Sequence, residues 1–393
     1  MIFIGYIWLF IQIVIGFNLV WPLLLHLIYL LRKKERFDAL NPYHNRENDY
    51  GVIVTAYEQV TSIPAVVNSL LKMDHEHFMI YVVADACDIS TLHFSDPRVV
   101  ILRPEERLAS NTRSHFYAIE HFARKHNKLT IIDSDNLVEP DYLKQLDLAF
   151  SKGYRAVQGV RAAKNMNTLY ASLDAARDIY YHYYDGKLLF QSGSSATLAG
   201  SGMAFDVELY EQCLGTSGVS GAGFDKVLQY RILSRNERIA FQEKAVVYDE
   251  KTTIPDQLVK QRSRWINTWF KYFSYGFSVV GKGLANFNAN QFLFGLVLLR
   301  PPLFIFLLLS VLFGAVNLLI NPVYTLVWAI GLLLFVLGFF IALWNSETDP
   351  RIYRSLTGIP KFVFLQVISL FKARGANKRS VATTHYYTEE EGK

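Results

Sequence analysis

The sequence predicts an α/β domain with a mainly parallel sheet, joined to α-helical transmembrane segments. Three features predict it: long uncharged apolar runs towards both ends, a polar middle in which short β-rich runs alternate with helical patterns, and acidic residues directly after several β-rich runs. Strands that alternate with helices are typical of parallel sheets covered by helices. Ligands of such sheets bind beyond the carboxyl ends of the strands, which is where the acidic residues fall.

The composition of the 393-residue chain excludes several classes of protein. Hydrophobic residues make up 51% and charged residues 19%, which excludes a disordered or fibrous chain. The net charge of +5 is small, and much of it flanks apolar runs, so it indicates a membrane surface and no nucleic-acid partner. Cys87 and Cys213 are too few for a disulfide framework or a cysteine-based zinc site, and we expect a reducing compartment for the polar part.

The first apolar run covers residues 1–31 and contains no charged residue, so it is long enough to cross a hydrocarbon core of about 30 Å. Four basic residues follow at once: Arg32, Lys33, Lys34 and Arg36. Because the positive charges come after the run, we expect a transmembrane helix rather than a cleaved signal peptide. The positive-inside rule then places the N-terminus outside and the following domain in the cytoplasm.

Two further apolar runs cover residues 303–320 and 323–344, with Asn321 and Pro322 between them. This dipeptide is a turn signal, so the two runs predict a transmembrane hairpin that returns the chain to the cytoplasm. The basic tail then lies inside, as the charge rule requires. The three spans together predict a multi-pass protein of the plasma or inner membrane.

Two other segments are predicted to lie on the membrane surface, with a core helix or a fourth span as the alternative. Residues 265–277 are rich in aromatic side chains around Lys271, and residues 359–371 are apolar but short. Arg300, which precedes two prolines, is expected to reach a lipid phosphate. The predicted divisions of the chain are a transmembrane helix (1–34), a cytoplasmic α/β domain (35–262), interfacial amphipathic helices (263–302), a transmembrane hairpin (303–345), and an interfacial helix with a cytoplasmic tail (346–393).

The first half of the cytoplasmic domain supplies the α/β pattern. The predicted strands are residues 51–56, 79–84, 99–102 and 129–132, and the predicted helices are residues 62–71 and 111–125. Asp133 and Asp135 follow the last of these strands. Two carboxylates at this spacing can bind Mg²⁺ or Mn²⁺, which completes its shell with water and substrate phosphates and neutralises a diphosphate leaving group. The alternative is a loop whose Asp residues cap the next helix.

Residues at the ends of the first two strands are candidates for the same ligand. Asp85 ends the second strand, where its carboxylate could accept a hydrogen bond from a base or a ribose hydroxyl. The alternative role is a helix cap or an Asx turn. Thr55, Tyr57 and Glu58 leave the first strand and open the facing loop, which could equally have no function.

The segment Gln261-Arg262-Ser263-Arg264-Trp265 combines guanidinium groups, an amide and an indole. Arginine suits a diphosphate by charge and geometry, and tryptophan offers a face on which a sugar ring can stack. The alternative is a basic anchor at the membrane surface.

Two glycine-containing turns are also candidates. Asp225 follows one of them and precedes a helical pattern, so it could remove a proton from an attacking hydroxyl or cap the helix. Gly202 and Met203 belong to a small-residue turn that could let a bulky ligand approach the backbone, or be a turn without function.

The order of these motifs resembles the inverting family 2 glycosyltransferases. The motifs are V-I-V-T-A-Y, V-A-D-A-C-D, D-S-D-N, G-S-G-M-A-F, G-F-D-K-V-L and Q-R-S-R-W. The chain looks most like the membrane-embedded branch that holds cellulose, hyaluronan, chitin and poly-N-acetylglucosamine synthases. This resemblance implies a GT-A fold, with a Rossmann-like mainly parallel sheet, on the cytoplasmic face, and a nucleotide-diphosphate sugar as donor, with uridine favoured as the nucleoside.

The resemblance also implies roles for the candidate residues. Those expected at the nucleotide are Thr55, Tyr57, Glu58, Asp85 and Asp133. Those expected at the Mg²⁺ or Mn²⁺ ion are Asp135 and Asp133. Those expected at the diphosphate or the acceptor sugar are Gly202, Met203, Gln261, Arg264 and Trp265. Asp225 matches the base that deprotonates the acceptor hydroxyl, although Phe224 stands where relatives usually have Glu, and Arg113 or His115 replaces a lysine common in relatives.

Three functions follow as alternatives. The first is a processive synthase that builds a β-linked polysaccharide, which the G-S-G-M and Q-x-x-R-W motifs favour; with three spans, export of the polymer would need the interfacial helices, an oligomer or a partner. The second is nonprocessive transfer of one sugar to a lipid-linked or membrane-bound acceptor. The third is an inactive scaffold or a transporter subunit, disfavoured because the acidic residues are present and the spans are nearly free of ionisable residues.

Overall fold

One mixed sheet positions the polar residues of the chain in the computed structural model, which describes residues 2–37, 48–215 and 222–379. The end of the predicted tail, residues 380–393, lies outside the described residues. The strands are β1 (Tyr50–Tyr57), β2 (Phe78–Asp85), β3 (Val99–Leu102), β4 (Lys128–Asp133), β5 (Leu137–Val138), β6 (Ala156–Ala163), β7 (Met203–Asp206) and β8 (Ile239–Asp249).

The strand order is β3-β2-β1-β4-β7-β6-β8-β5. Strands β3, β2, β1 and β4 are parallel to one another, as are β6 and β8, while β7 runs antiparallel to both of its neighbours. The parallel core strands are apolar and buried on both faces, as expected when helices cover both sides. The predicted mainly parallel α/β architecture is therefore confirmed.

The register of the sheet brings the candidate residues together at one edge. Thr55 of β1 is paired with Asp133 of β4, and Tyr57 is paired with Asp85 of β2. Because these strands are parallel, all four residues lie at carboxyl ends on the same side of the sheet.

The helices of this domain connect and cover the strands. They are α2 (Ile63–Leu71), α3 (Asn111–Glu120), α4 (Tyr142–Phe150), α5 (Leu169–Tyr181), α6 (Leu189–Gln191), α7 (Val207–Leu214) and α8 (Phe224–Ser234), with a π-helical stretch (His182–Leu188) between α5 and α6. Helix α3 ends five residues before the predicted position 125. The chain turns there because the backbone N–H of Ala123 donates to the Tyr81 hydroxyl (2.9 Å) and Phe122 stacks on the Tyr81 ring.

The N-terminal helix α1 (Ile2–Leu31) packs against two helices near the other end of the chain. These are α12 (Leu303–Ile320) and α13 (Pro322–Trp344), which agree with the predicted hairpin to within one residue. The outer faces of α1, α12 and α13 expose large apolar side chains, among them Phe10 of α1, Leu319 of α12 and Leu333 of α13. A surface of this kind is typical of helices that face lipid.

By length and composition, four helical segments of the described residues could cross a membrane. Three are the predicted spans. The fourth covers Pro350–Lys372 and consists of α14 (Pro350–Ser355), a short 3-10 turn and α15 (Ile359–Lys372). The sequence predicts an interfacial helix at residues 359–371, and α15 packs along α9 (Pro255–Tyr272), the helix that carries the Q-R-S-R-W motif.

Helices α10 (Tyr275–Ala285) and α11 (Ala289–Leu299) form a hairpin that leads from α9 to the α12 span. Arg300 follows α11, and its position corrects the sequence-based expectation. The Arg300 guanidinium is buried and forms a two-pronged ion pair with Asp185 of the π-helical stretch, with one N–H···O distance of 3.1 Å. It therefore links the soluble domain to the apolar helices instead of reaching a lipid phosphate, because a fully buried guanidinium needs a paired carboxylate.

A small polar cluster holds the apolar helices together. Gln12 of α1 accepts hydrogen bonds from Trp328 Nε1 of α13 (3.0 Å) and from Asn317 Nδ2 of α12. All three side chains are buried among apolar neighbours. Interhelical hydrogen bonds of this kind stabilise helix packing in an apolar solvent.

We expect Gln12→Leu to destabilise the helix bundle by about 1 kcal/mol, because it leaves the Trp328 indole N–H without its acceptor and removes one acceptor from Asn317. Thermal unfolding of the purified chain in detergent micelles measures the effect. The matched control is Ile13→Leu, at a neighbouring position of the same helix whose side chain is 60% exposed. An unchanged melting temperature for Gln12→Leu would contradict the role given to this cluster.

Candidate active site

A cavity of about 1180 Å³ begins at the carboxyl ends of β1, β2 and β4 and continues to the apolar helices. Eight of the candidate residues line it: Thr55, Tyr57, Asp85, Asp133, Asp225, Gln261, Arg264 and Trp265. The cavity is large enough for a substrate with several chemical groups. The structure thus joins residues separated by two hundred positions in the sequence into one site.

Four candidate residues do not line this cavity: Glu58, Asp135, Gly202 and Met203. Glu58 lies at its rim and pairs with Arg107, which also stacks over the Tyr57 ring at 5.1 Å. Asp135 lies behind the lining, with 7% of its surface exposed. Met203 is fully buried in β7, and the residue of that turn that does face the cavity is Gly200.

The carboxylate of Asp85 holds the loop that follows β3. Its Oδ1 accepts from the backbone N–H of Leu108 (2.9 Å) and its Oδ2 from that of Ala109 (2.7 Å). Ala109 and Ser110 of this loop line the cavity, so the loop borders the cavity beside the carboxyl end of β2. Sequence reasoning placed Asp85 at a ligand but did not identify this backbone contact.

Backbone strain is concentrated at the same place. Glu58, Ala86 and Ala109 adopt left-handed conformations, with φ of 59°, 54° and 48°. Non-glycine residues rarely do so, and such strain persists only where surrounding contacts enforce it. The backbone N–H of Glu58 donates to the Asp85 carbonyl at 3.1 Å, so the end of β2 holds the strained backbone of Glu58 in place.

Ser201 fixes the turn that carries Asp133 and Asp135. Its hydroxyl oxygen accepts from the backbone N–H of Asp133 (3.0 Å) and from Asn136 Nδ2 (2.8 Å). The neighbouring Gly202 has φ of 63°, and a Cβ there would lie 2.9 Å from Val247 Cγ2. The small-residue turn therefore supports the acidic turn, and only glycine fits at position 202.

Asp133 and Asp135 supply two carboxylates at the end of β4, of which Asp133 lines the cavity and Asp135 is 7% exposed. The described residues contain no group of three or more His, Cys, Asp or Glu that could hold a metal alone. Mg²⁺ or Mn²⁺ binds to one or two carboxylates and takes its remaining ligands from water and substrate phosphates, so the chemistry of this pair suits such an ion.

Asp225 lies in the first turn of α8, where the helix dipole favours a negative charge. Lys226 Nζ lies 3.2 Å from its Oδ2. The preceding Gly223 has φ of 94°, and a Cβ there would lie 2.6 Å from both Thr268 Cγ2 and Tyr272 Cε2. Glycine at this position thus lets α9 pack beside the carboxylate.

The residues that depart from the resembling family belong to the core or the surface. Phe224 is buried and meets the His115 ring edge to face, with centroids 5.2 Å apart. His115 Nδ1 lies 2.7 Å from the Tyr210 hydroxyl, and burial lowers the pKa of His115 to about 3. Arg113 donates to the Leu108 carbonyl instead. Neither His115 nor Arg113 lines the cavity, so neither takes the place of the lysine found in relatives.

A row of alternating charges runs along the cavity, with some of its members on the lining, and we call it the buried ion network. Its members are named here so that each forms an ion pair with the next: Arg161, Asp249, Lys251, Asp178, Arg177, Asp174 and Arg262. The N···O distances include 2.7 Å from Arg161 to Asp249 and 2.6 Å from Lys251 to Asp178. Although burial opposes ionisation, Arg177 and Lys251 keep the pKa of Asp178 well below its usual range. Sequence reasoning missed most of this row, although charged residues at helical spacing within the apolar segment of α5 were a usable signal.

Trp265 lies between two members of this network. The guanidinium of Arg177 is 4.4 Å from the Trp265 ring centroid, and that of Arg262 is 4.1 Å from it. Cation–π contacts at these distances hold the indole in place. Trp265 keeps 40% of its surface exposed, so part of the ring stays available to a ligand.

Comparison with known proteins agrees with this geometry. The model of the family described as "Glycosyltransferase like family 2" matches residues 47–268. No curated protein sequence matches the chain. The structure is similar to the mannosyltransferase PcManGT from Pyrobaculum calidifontis in complex with GDP-Man and Mn²⁺, with a TM-score of 0.55 and 14% identity over 92% of this chain and 95% of that chain.

Weaker similarity extends to S. aureus TarS. Residues 1–349 of that protein give a TM-score of 0.41 at 13% identity, over 84% of this chain and 90% of that chain. The same fragment in complex with UDP-GlcNAc gives a TM-score of 0.39 at 13% identity and the same coverage. The α/β fold is thus GT-A-like, as the likeness to PcManGT indicates. Since the family match spans more than half of the chain, the chain belongs to glycosyltransferase family 2 and is a glycosyltransferase.

Proposed function

We propose that the chain transfers a sugar from a nucleotide-diphosphate sugar to a membrane-bound acceptor, with inversion at the anomeric carbon and with a divalent cation. One observation carries the proposal: a single cavity brings Asp85 and Asp133 at the strand ends together with Asp225 and the Gln261–Trp265 segment. The first group suits a donor nucleotide, and the second suits an acceptor and the diphosphate leaving group of the donor.

In this mechanism Asp225 takes the proton of the acceptor hydroxyl. The acceptor oxygen then forms a bond to the anomeric carbon, while the bond from that carbon to the diphosphate oxygen breaks. The nucleotide diphosphate leaves with the bonding electron pair. Because the acceptor oxygen attacks one face of the anomeric carbon and the diphosphate leaves from the opposite face, the configuration of that carbon is inverted. Trp265 would orient the acceptor, and Arg264 would meet the charge of the diphosphate.

Asp133 and Asp135 would hold Mg²⁺ or Mn²⁺. When bound, this cation would neutralise charge that develops on the departing diphosphate. The Mn²⁺ and GDP-Man in the PcManGT structure support both a divalent cation and a nucleotide-sugar donor. Uridine as the nucleoside rests on the family resemblance.

The acceptor side of the cavity supports a membrane-bound acceptor over a free one. Beyond Trp265 the lining becomes apolar, with Leu307 from α12, Phe335 and Phe339 from α13, and Phe362 from α15. An alkyl chain would be stabilised there by about 0.8 kcal/mol per buried CH₂ group. This observation favours single transfer to a lipid-borne acceptor over synthesis of a polysaccharide, which remains the second candidate function.

The orientation follows from charge. The basic residues after α1 would face the cytoplasm, with the N-terminus outside and the catalytic domain inside. Helix α9 and the helices that pack on it would then lie at the membrane surface, where the acceptor arrives.

We expect Asp225→Asn and Asp135→Ala to lose transfer by about 10² to 10⁴-fold for different reasons. Asp225→Asn removes the base and spares binding of the nucleotide diphosphate with Mn²⁺. Asp135→Ala weakens that Mn²⁺-dependent binding. Nucleotide diphosphate release from a panel of sugar nucleotides, and calorimetric binding of the nucleotide diphosphate, measure the two effects.

The matched control is Asp141→Asn, on a carboxylate outside the cavity lining. Full turnover by Asp225→Asn would refute its role as the base. Unchanged Mn²⁺-dependent binding by Asp135→Ala would remove this residue from the metal site.

The size and solubility of the product distinguish single transfer to a lipid-borne acceptor from synthesis of a polysaccharide. With membranes and a labelled sugar nucleotide, we expect label in the organic phase, on a lipid that carries one added sugar. A ladder of water-soluble oligosaccharides or a polymer would instead establish the synthase alternative.

A further inference from the structure

The buried ion network begins and ends on an arginine, and its two ends face different parts of the cavity. Arg161 at one end interacts electrostatically with Asp133, on the donor side. Arg262 at the other end lies in α9 beneath Trp265, with its guanidinium 6.0 Å from the Phe362 ring centroid, where the lining becomes apolar. Four cations in this row face three carboxylates, so the row itself carries one positive charge in excess.

The excess charge is least compensated at Arg262. Its side chain is 3% exposed, and within the row only Nη2 has a carboxylate partner, Asp174. Nε and Nη1 are buried and have no hydrogen-bond partner among the described residues. Burial, and then repulsion from Arg177, lower the pKa of Arg262 to about 10. An unsatisfied buried guanidinium is costly, so a site of this kind is completed by an anion.

Arg177 contributes to the same place. It lines the cavity, shares Asp174 with Arg262 at 3.2 Å, and its Nε also lacks a hydrogen-bond partner among the described residues. The two guanidinium groups contact the same indole and the same carboxylate, and so place two positive charges close together at the cavity lining. Charge and geometry of this kind match phosphate oxygens better than a neutral sugar.

We propose that Arg177 and Arg262 bind the phosphate of an anionic lipid acceptor whose hydrocarbon chain occupies the apolar end of the cavity. The inference rests on the proposed function and adds the chemical class of the acceptor. It requires one ligand with a phosphate at the guanidinium pair and an apolar chain beside Phe335, Phe339 and Phe362.

Dodecyl phosphate serves as the probe, with inorganic phosphate and dodecyltrimethylammonium as comparison ligands. Calorimetric titration of the full chain in nonionic detergent micelles gives the dissociation constants. We expect dodecyl phosphate to bind at least about tenfold more tightly than either comparison ligand, because only it satisfies both parts of the site.

Two variants test the residues. The double variant Asp174→Asn/Arg262→Gln removes one charge of each sign and so avoids an unpaired buried carboxylate; we expect it to weaken dodecyl phosphate binding by about tenfold or more. Asp174→Asn alone keeps both guanidinium groups and raises their excess charge, so it should tighten binding. Arg124→Gln, on an exposed arginine far from the cavity lining, is the control.

Each contrary result has a distinct meaning. Equal binding of inorganic phosphate would overturn the lipid part of the inference. Loss of nucleotide diphosphate binding in the double variant, with dodecyl phosphate binding intact, would assign the guanidinium pair to the donor and overturn the inference. Absence of sugar-nucleotide turnover in the unmodified chain would refute the proposed function, whereas absence of dodecyl phosphate binding in a chain that turns over its donor refutes only this inference.

Discussion

The need to pair buried charges organises this molecule. The row from Arg161 to Arg262 joins β6, β8, α5 and α9, so the sheet and the helix that carries the Q-R-S-R-W motif cannot shift independently without exposing or unpairing a charge. The Arg300–Asp185 pair does the same between the π-helical stretch and the apolar helices. The Arg300–Asp185 pair therefore adds a directional constraint to the apolar contacts between the α/β domain and the apolar helices, such as that of Tyr180 with Phe335.

Around this framework the part of the cavity at the strand ends is built from backbone contacts. Asp85 holds the loop after β3, Ser201 holds the turn that carries Asp133, and Glu58, Ala86 and Ala109 adopt left-handed backbone conformations. Such sites position ligands through the main chain, which changes little when a side chain moves. The acceptor side is built differently, from side chains of α8 and α9, with Gly223 allowing the two helices to approach.

The first half of the sheet and the hairpin of α12 and α13 could be predicted from the sequence, because those segments carry clear hydrophobic patterns. Strands β1, β2 and β4 are largely apolar runs, β2 and β4 end on acidic residues, and α12 and α13 have uniform hydrophobicity broken at Asn321. Strand β5 has two residues, too few to show a period. Most of the buried ion network was also missed, because a charged residue in sequence does not reveal a partner up to eighty-eight positions away, as for Asp174 and Arg262. Asp85 was placed correctly on the cavity, but its loop contact depends on tertiary structure.

The cavity has two parts with different linings. One part is lined by strand ends of the α/β domain and the other by helices α12, α13 and α15. In the proposed function, a lipid-borne acceptor would reach the second part of the cavity from the bilayer plane. Turnover would accordingly depend on how densely the acceptor populates the bilayer plane rather than on its amount per litre.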